Sequence, residues 1–378
     1  MKVLVGIPCL QRGGTEMQTL CLVRALLQAG YAVQVFCYFE YDDEVAAEFE
    51  HAGCRVRLLH YARSIRKLSL IRRLAEVIRR EKPDVVHVQY MAPGALPVIA
   101  AKLAGVKKVL ALVHQPHTAS HGWKAKVMLI AASVLCTHFM AVSCAAEQSW
   151  FGSSFVYTGT GSEKPPKHFT LFNAVDTMRI VSLQNSAAAA SLKKKYRSGA
   201  AFVFGYIGRL HYEKGVDVLC EAFGRINRIM PETRLLIVGD GPEKMRLEER
   251  FSLNCWWKNV YFPGMQSWEN SMSCLSAMDV MVVPSRFEGF GLTAVEAMAA
   301  SRPVIASRTG GLLDIVQHGG SGLFFENENI GALASMMQVL MEPNYLRVLQ
   351  QGAFERSKSF DVAAFNKKIA QLYLLLLS

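Results

Sequence analysis

No continuous apolar run in the 378 residues reaches the ~18–20 positions that a membrane-spanning helix requires. The nearest approach, Val127 to Val142, is broken by Ser133, Thr137 and His138, and the run Leu372 to Leu377 is shorter still. Met1 to Ile7 reads as a strand stopped at Pro8, too short for the apolar stretch of a secretory leader. The nine cysteines are scattered and no two stand as C-x-x-C, so neither a disulfide framework nor a zinc knuckle is expected. A reduced, cytoplasmic compartment follows as the expectation, with attachment to the membrane face as the furthest alternative. No Asp-x-Asp pair and no His/Asp ligand cluster occurs, so no metal is expected. Charged residues make up only 19% of a chain that is 51% apolar, which excludes a coiled coil and a disordered chain.

What is present is an alternation. Val3–Ile7, Ala32–Phe39, Val56–Leu59, Val85–Gln89, Val109–His114 and Phe139–Ser143 read as buried strands, with helical patterns such as Gln18–Ala29 and Pro93–Ala104 between them. The loop-like stretch Phe151–Lys167 and a strand at Phe169–Phe172 lead to Asn173-Ala174-Val175-Asp176. The rhythm then resumes with strands at Phe202–Ile207, Arg234–Val238, Val260–Phe262, Val280–Pro284, Val304–Ala306 and Gly322–Phe325, and a helix at Val216–Met230. The expected fold is α/β, two Rossmann-like doubly wound domains facing across a cleft, since a chain of this length fits two cores of about 150–200 residues. The expected divisions are residues 1–176, residues 177–360, and a terminal helix within 361–378 that packs back on the first domain.

The charge is unevenly placed. The net formal charge is +11, and between Arg55 and Lys82 ten lysines and arginines stand against Glu76 and Glu81. Ile65, Leu68, Ile71, Leu74, Ala75 and Ile78 recur there at helical spacing. Such a segment reads first as a surface helix whose apolar stripe lies on a sheet while its arginines are solvated, and second as a helix lying on an anionic membrane surface. No recognition motif accompanies it, so nucleic acid is not an expected partner.

The residues suited to chemistry follow the expected strands, where ligands bind in open parallel sheets. Gly208-Arg209-Leu210-His211-Tyr212-Glu213-Lys214-Gly215 supplies a guanidinium and an ammonium five residues apart, a pair that suits a diphosphate. Pro284-Ser285-Arg286-Phe287-Glu288-Gly289-Phe290-Gly291-Leu292-Thr293 is a glycine-rich loop entering a helix, whose first amides and dipole attract an anion. Glu288 and Glu296 stand eight residues apart beside that anion site. Carboxylates there repel a phosphate unless they hold hydroxyl groups, and a nucleotide sugar satisfies both demands. Val238-Gly239-Asp240-Gly241-Pro242, Arg302-Pro303-Val304 with Gly310-Gly311, and Gly319-Gly320-Ser321-Gly322 add further turns after strands.

In order and spacing these motifs resemble the family 4 retaining glycosyltransferases of the GT-B fold, over the whole chain and most tightly from Gly205 to Leu323. The resemblance implies that Glu296 binds the ribose hydroxyls and Glu288 the transferred sugar. It implies that the amides of Gly289, Phe290, Gly291, Leu292 and Thr293, with Arg209 and Lys214, hold the diphosphate, and that the base lies near Gly239 and Met265. Gly13 and Gly14 would approach the diphosphate, Glu16 the acceptor, and His114 the sugar. His114, Glu288, Arg209 and Lys214 are thus the expected catalytic set. The implied co-substrate is a UDP- or GDP-linked sugar, transferred with retention and without metal to a glycan or lipid-linked acceptor. The setting would be polysaccharide, lipopolysaccharide or glycolipid assembly at the cytoplasmic membrane face. A non-catalytic nucleotide-sugar binder and a related epimerase are the alternatives. Asn173-Ala174-Val175-Asp176 departs from the family's Asn-Gly-Val-Asp, and the loop from Gly152 to Lys167 is longer than usual.

Overall fold

The computed structural model describes residues 1–91, 93–118, 121–160 and 164–376, so Gly161 and Ser162 of the loop after Phe151, and Leu377, lie outside the described residues. Valine-rich runs become short parallel strands, because β-branched side chains fill both faces of a pleated sheet covered by helices. In the first unit these are β1 (Lys2–Ile7), β2 (Ala32–Cys37), β3 (Arg55–Leu58), β4 (Val85–Tyr90), β5 (Lys108–Val113), β6 (His138–Ala141) and β7 (His168–Thr170). Their order is β3-β2-β1-β4-β5-β6-β7, all parallel, with Val3 of β1 opposite both Val33 and Val85. The connecting helices are α1 (Gly14–Gln28), α2 (Asp43–His51), α3 (Lys67–Glu81), α4 (Leu96–Leu103), α5 (Gly122–Leu135) and α6 (Cys144–Phe151).

The second unit holds β8 (Phe202–Ile207), β9 (Thr233–Val238), β10 (Val260–Gly264), β11 (Val280–Val283), β12 (Val304–Ser307) and β13 (Gly322–Phe325), in the parallel order β10-β9-β8-β11-β12-β13. Its helices are α7 (Thr177–Gln184), α8 (Ala187–Arg197), α9 (Val216–Ile229), α10 (Glu243–Phe251), α11 (Trp268–Cys274), α12 (Leu292–Ala299), α13 (Leu312–Ile315), α14 (Ile330–Val339) and α15 (Pro343–Ser357). The two compact units are Val175–Asp361 and the remainder, Met1–Ala174 with Val362–Ser378. The chain enters and leaves the second unit side by side, since the amide of Val175 donates to the carbonyl of Phe360 at 2.9 Å.

The last helix, α16 (Val362–Leu375), belongs to the first unit and packs on α1. Asn366 Nδ2 donates to Gln28 Oε1 at 2.7 Å, and the Tyr373 hydroxyl lies 2.8 Å from His87 Nδ1. Val86 and Val88 pack in the cluster that also takes Leu70, Leu74, Val98 and Leu129 of α3, α4 and α5. Side chains alternate along a strand, so His87 between those valines faces the opposite side, where Tyr373 meets it.

Several boundaries differ from the sequence reading. Helix α1 begins at Gly14, four residues before Gln18, because Gly13 in extended conformation serves as its N-cap. The helix expected from Pro93 begins at Leu96, with proline in its first turn. The apolar stretch Val127–Val142 divides at Cys136–Thr137 into the end of α5 and strand β6. Ala174, where the family has glycine, is not among the residues with positive φ. Its backbone is instead gripped by the Gln18 amide, at 2.9 Å to the N–H and 2.7 Å to the carbonyl. Helix α3 buries Leu70, Leu74, Ala75, Val77 and Ile78 against its sheet, which leaves an exposed face of arginines and lysines. Among the described residues no helix is long and apolar enough to cross a membrane.

Candidate active site

Each sheet has a central strand from which the connections leave in opposite directions: β1 between β2 and β4, and β8 between β9 and β11. The crevice outside the carboxyl ends at such a switch point is where doubly wound sheets take ligands. In the second unit the segments after β8, β9 and β11 converge there, and glycine permits the convergence. A Cβ on Gly239 would stand 1.9 Å from the Gly208 carbonyl oxygen, and one on Gly215 only 2.1 Å from that of Pro284.

The loop after β8 carries Lys214 inward. Its ammonium lies 2.8 Å from Glu288 Oε2, and the Ser285 hydroxyl donates to the same oxygen at 3.0 Å. Both charged side chains are largely shielded, so attraction is stronger here than in open water. The negative charge of Glu288 is thereby offset by Lys214 within the protein itself. Arg209 is placed differently: its side chain is 68% exposed and its nearest carboxylate, Glu213, is 3.8 Å away.

Arg286, in the motif itself, is committed to structure. Its guanidinium makes a fork to Asp217 at 2.9 and 2.8 Å, donates to the Tyr212 carbonyl at 2.7 Å and to Glu328 at 2.7 Å, and stacks on the Tyr212 ring. Burial raises the Asp217 carboxyl, but Arg286 outweighs that effect and holds it below the usual range. Arg286 therefore bolts the loop after β11 to the loop after β8, and with it the relative position of Lys214 and Glu288.

Helix α12 starts without a side-chain cap, at Gly291 with φ of 109°. The first amides of a helix have no intrahelical acceptor, so Leu292 and Thr293 begin an anion-attracting turn. The loop Glu288–Phe290 is held from behind by Gly310 and Gly311: the Gly311 amide donates to the Glu288 carbonyl at 3.1 Å. Glu296, in the second turn of α12, accepts from the indole N–H of Trp268 at 2.8 Å. Burial holds its carboxyl above the ordinary range, and the Trp268 hydrogen bond only partly offsets that rise. The Gly239 amide donates to the Gly264 carbonyl at 2.9 Å, which sets the turn after β9 beside exposed Met265.

In the first unit, Gly13 and Gly14 form the entry of α1 after β1. Glu16 is buried in that first turn, accepts the Cys9 thiol at 3.4 Å, and lies close enough to Gly13 that a Cβ there would meet its Oε2 at 2.6 Å. His114 directly follows β5, and its Nε2 lies 2.7 Å from Gln89 Oε1 at the end of β4. Burial pushes His114 down to about 4, and burial together with His114 pushes His87 down to about 3. Both are neutral near pH 7.

These depressed values favour the folded state in full above about pH 6.5, where an unfolded histidine is also neutral. The contribution is lost as pH falls toward 4, since the unfolded chain takes up protons that the native state refuses. Thermal melting between pH 7.5 and pH 5 is expected to show a steeper fall for the wild type than for His87→Phe. Parallel slopes would refute the assignment.

The structure thus brings Lys214, Glu288 and the Gly289–Thr293 turn together, places Glu296 one helix turn further on, and leaves Arg209 at the rim. Sequence reasoning missed Trp268, Ser285 and the Arg286–Asp217 pair as partners of these residues. Ser285 and Arg286 stood inside the quoted motif, whereas Trp268 follows the Pro263-Gly264-Met265 turn with no pattern of its own. Among the described residues no three His, Cys, Asp or Glu side chains are grouped to hold a metal ion.

The model of the glycosyl transferases group 1 matches residues 190–356, and that of glycosyltransferase family 4 matches residues 12–150. A GDP-mannose-dependent α-(1-6)-phosphatidylinositol monomannoside mannosyltransferase of Mycobacterium tuberculosis is 30% identical over 282 residues, 71% of this chain and 69% of that protein. A UDP-Gal:α-D-GlcNAc-diphosphoundecaprenol α-1,3-galactosyltransferase of Escherichia coli is 26% identical over 344 residues, 88% of this chain and 84% of that protein. Among solved structures, HepE of Anabaena, crystallised with UDP and glucose, superposes with a TM-score of 0.79 at 20% identity over 99% of both chains. The switch-point constellation and these matches have one meaning: the chain belongs to the family 4 glycosyltransferases and is an enzyme of the GT-B fold.

Proposed function

We propose that the protein transfers a sugar from a UDP- or GDP-linked donor to an acceptor hydroxyl with retention of anomeric configuration and without a metal ion. The observation that carries this reading is the Lys214–Glu288–Ser285 cluster beside the uncapped start of α12, with Glu296 and Trp268 one turn beyond. Charge develops on the departing diphosphate, so an ammonium and oriented amides fixed in advance lower the barrier there. Lys214, Arg209 and the amides from Gly289 to Thr293 take the diphosphate, and Glu296 accepts from the ribose hydroxyls. Glu288 accepts from the transferred sugar, and the base lies by Gly239 and Met265. In the first unit Gly13 and Gly14 serve the diphosphate, neutral His114 the sugar, and Glu16 the acceptor. The departing phosphate takes the proton of the acceptor on the same face, which leaves both glutamates free for hydroxyl binding.

The acceptor is a glycan or lipid-linked sugar of an envelope polysaccharide or glycolipid. The names of the mannosyltransferase and galactosyltransferase relatives support this, since both act on lipid-linked acceptors. The exposed basic face of α3 supports work at an anionic membrane by charge alone, its apolar face being spent on the sheet.

Incubation with a panel of nucleotide sugars, following released nucleotide diphosphate, is expected to give turnover with one UDP- or GDP-linked donor. The anomeric proton of the product is expected to show the donor's configuration; an inverted product would overturn retention. Glu296→Gln is expected to weaken UDP or GDP binding by about tenfold, on the order of 1.4 kcal/mol for one charge-assisted hydrogen bond. Calorimetric titration checks this, and unchanged affinity would remove Glu296 from the ribose.

A further inference from the structure

Helix α5 has an apolar face that no described residue of its unit covers. Trp123, Val127, Ile130 and Val134 recur at helical spacing and are 71%, 54%, 42% and 71% exposed, while Leu129 and Ala132 on the other side enter the core. An outward stripe of this size on a 14-residue helix, about 20 Å long, is a binding surface rather than the scattered exposure of ordinary apolar residues.

The charge around it selects the partner. Lys124 and Lys126 lie within the helix, and from Val85 to Ala146 the sequence has five lysines and not one aspartate or glutamate. Helices α3, α4 and α5 pack in succession, so the stripe belongs to the same helical layer as the arginine face of α3. A two-fold pairing of α5 with a second copy would bring like charges together, and the segment from Val85 to Ala146 supplies no carboxylate to offset them. Aliphatic side chains offer no hydrogen bond to a base edge, so the stripe is no nucleic-acid reader by itself. An anionic bilayer satisfies both features, because its headgroups take the cations and the upper part of its acyl region takes the stripe.

We propose that α5 is the insertion element by which this protein docks on an anionic phospholipid bilayer, with the basic face of α3 binding headgroups beside it. Val127, Ile130 and Val134 enter the acyl boundary, Trp123 sits at the interface, and Lys124 and Lys126 reach back to phosphate along their alkyl stems. The proposal is independent of the donor chemistry, since a chain unable to turn over any sugar nucleotide would still dock in this way.

The test is cosedimentation of the full chain with phosphatidylcholine vesicles, with and without about one third phosphatidylglycerol. Wild type is expected to bind the anionic vesicles, and the double variant Val127→Glu/Val134→Glu to lose at least about tenfold in partition. Tryptophan emission is expected to shift to the blue on anionic vesicles, and Trp123→Phe to abolish that shift. Circular dichroism and melting temperature report whether the double variant folds; should it not, Val127→Ser/Val134→Ser and the Trp123 emission decide the question. Equal binding by wild type and a folded variant overturns the proposal, leaving charge attraction through α3 as the mode of attachment. Failure of the wild type to bind any vesicle overturns it also. So does a wild-type dimer that the variant dissolves without change in vesicle binding.

Discussion

Replacing Lys214 with alanine is expected to lower kcat for the sugar donor by about 100- to 1,000-fold, on the order of 3–4 kcal/mol of barrier, with KM changed far less. The ammonium does two jobs from one position. It offsets Glu288 at 2.8 Å, and it stands next to the α12 entry where the diphosphate is proposed to lie. Without it, Glu288 keeps only the Ser285 hydroxyl and repels the group whose negative charge grows as the bond breaks. Arginine is a poor substitute, since its planar fork and greater length do not fit a point-charge position between carboxylate and phosphate. Lys214→Arg is therefore expected to recover only part of the rate. Steady-state kinetics on donor hydrolysis and transfer measures both variants, and a wild-type kcat for Lys214→Ala would exclude the lysine from the leaving-group site.

The second large effect is expected at Gly310, a residue that touches no substrate in the proposed arrangement. Its φ is 50°, and a Cβ there would lie 1.9 Å from the carbonyl oxygen of Glu288. No rotamer change relieves a clash with backbone, so Gly310→Ala must move either its own turn or the Glu288 loop. A cost on the order of 2–4 kcal/mol follows from the backbone strain and the overlap together. That is a fall of roughly 5–10 °C in melting temperature for a unit of this size. Donor binding is expected to fall with it, because the displaced segment carries Glu288 and the amides through Thr293. Gly319→Ala is the control: φ there is 74°, yet the nearest atom to a Cβ is the Tyr345 hydroxyl at 3.9 Å. If the two variants melt together, the tight packing behind Glu288 has no energetic consequence.

The strand framework was legible because valine-rich runs between glycine turns have few other uses, and two parallel sheets follow from their alternation with helices. Boundaries were less so. Glycine's low helix propensity hid the start of α1 at Gly14, where tertiary contacts, including the Gln18 grip on Ala174, outweigh it. The periodicity of α3 announced a one-sided helix but could not say whether its apolar side met a sheet or a lipid, since both demand the same spacing. The converse held for α5, whose apolar residues are so many that no face stood out, although its outer side is the one left uncovered. In the candidate site the motif residues carried their own signal through order and spacing. Trp268 carried none, because its relation to Glu296 is made by the packing of α11 on the unit and by nothing in the adjacent sequence. The Arg286–Asp217 fork was hidden for the same reason, as its partners lie 69 residues apart.

The return of α16 to α1 has a consequence for biosynthesis. On the ribosome, the first 174 residues emerge lacking one of their own helices, and it arrives only after the whole of Val175–Asp361 has been translated. His87 and Gln28 must wait through that interval for Tyr373 and Asn366. A released chain ending before Val362 would therefore carry every residue of the second unit while leaving the α1 face that α16 covers open to solvent.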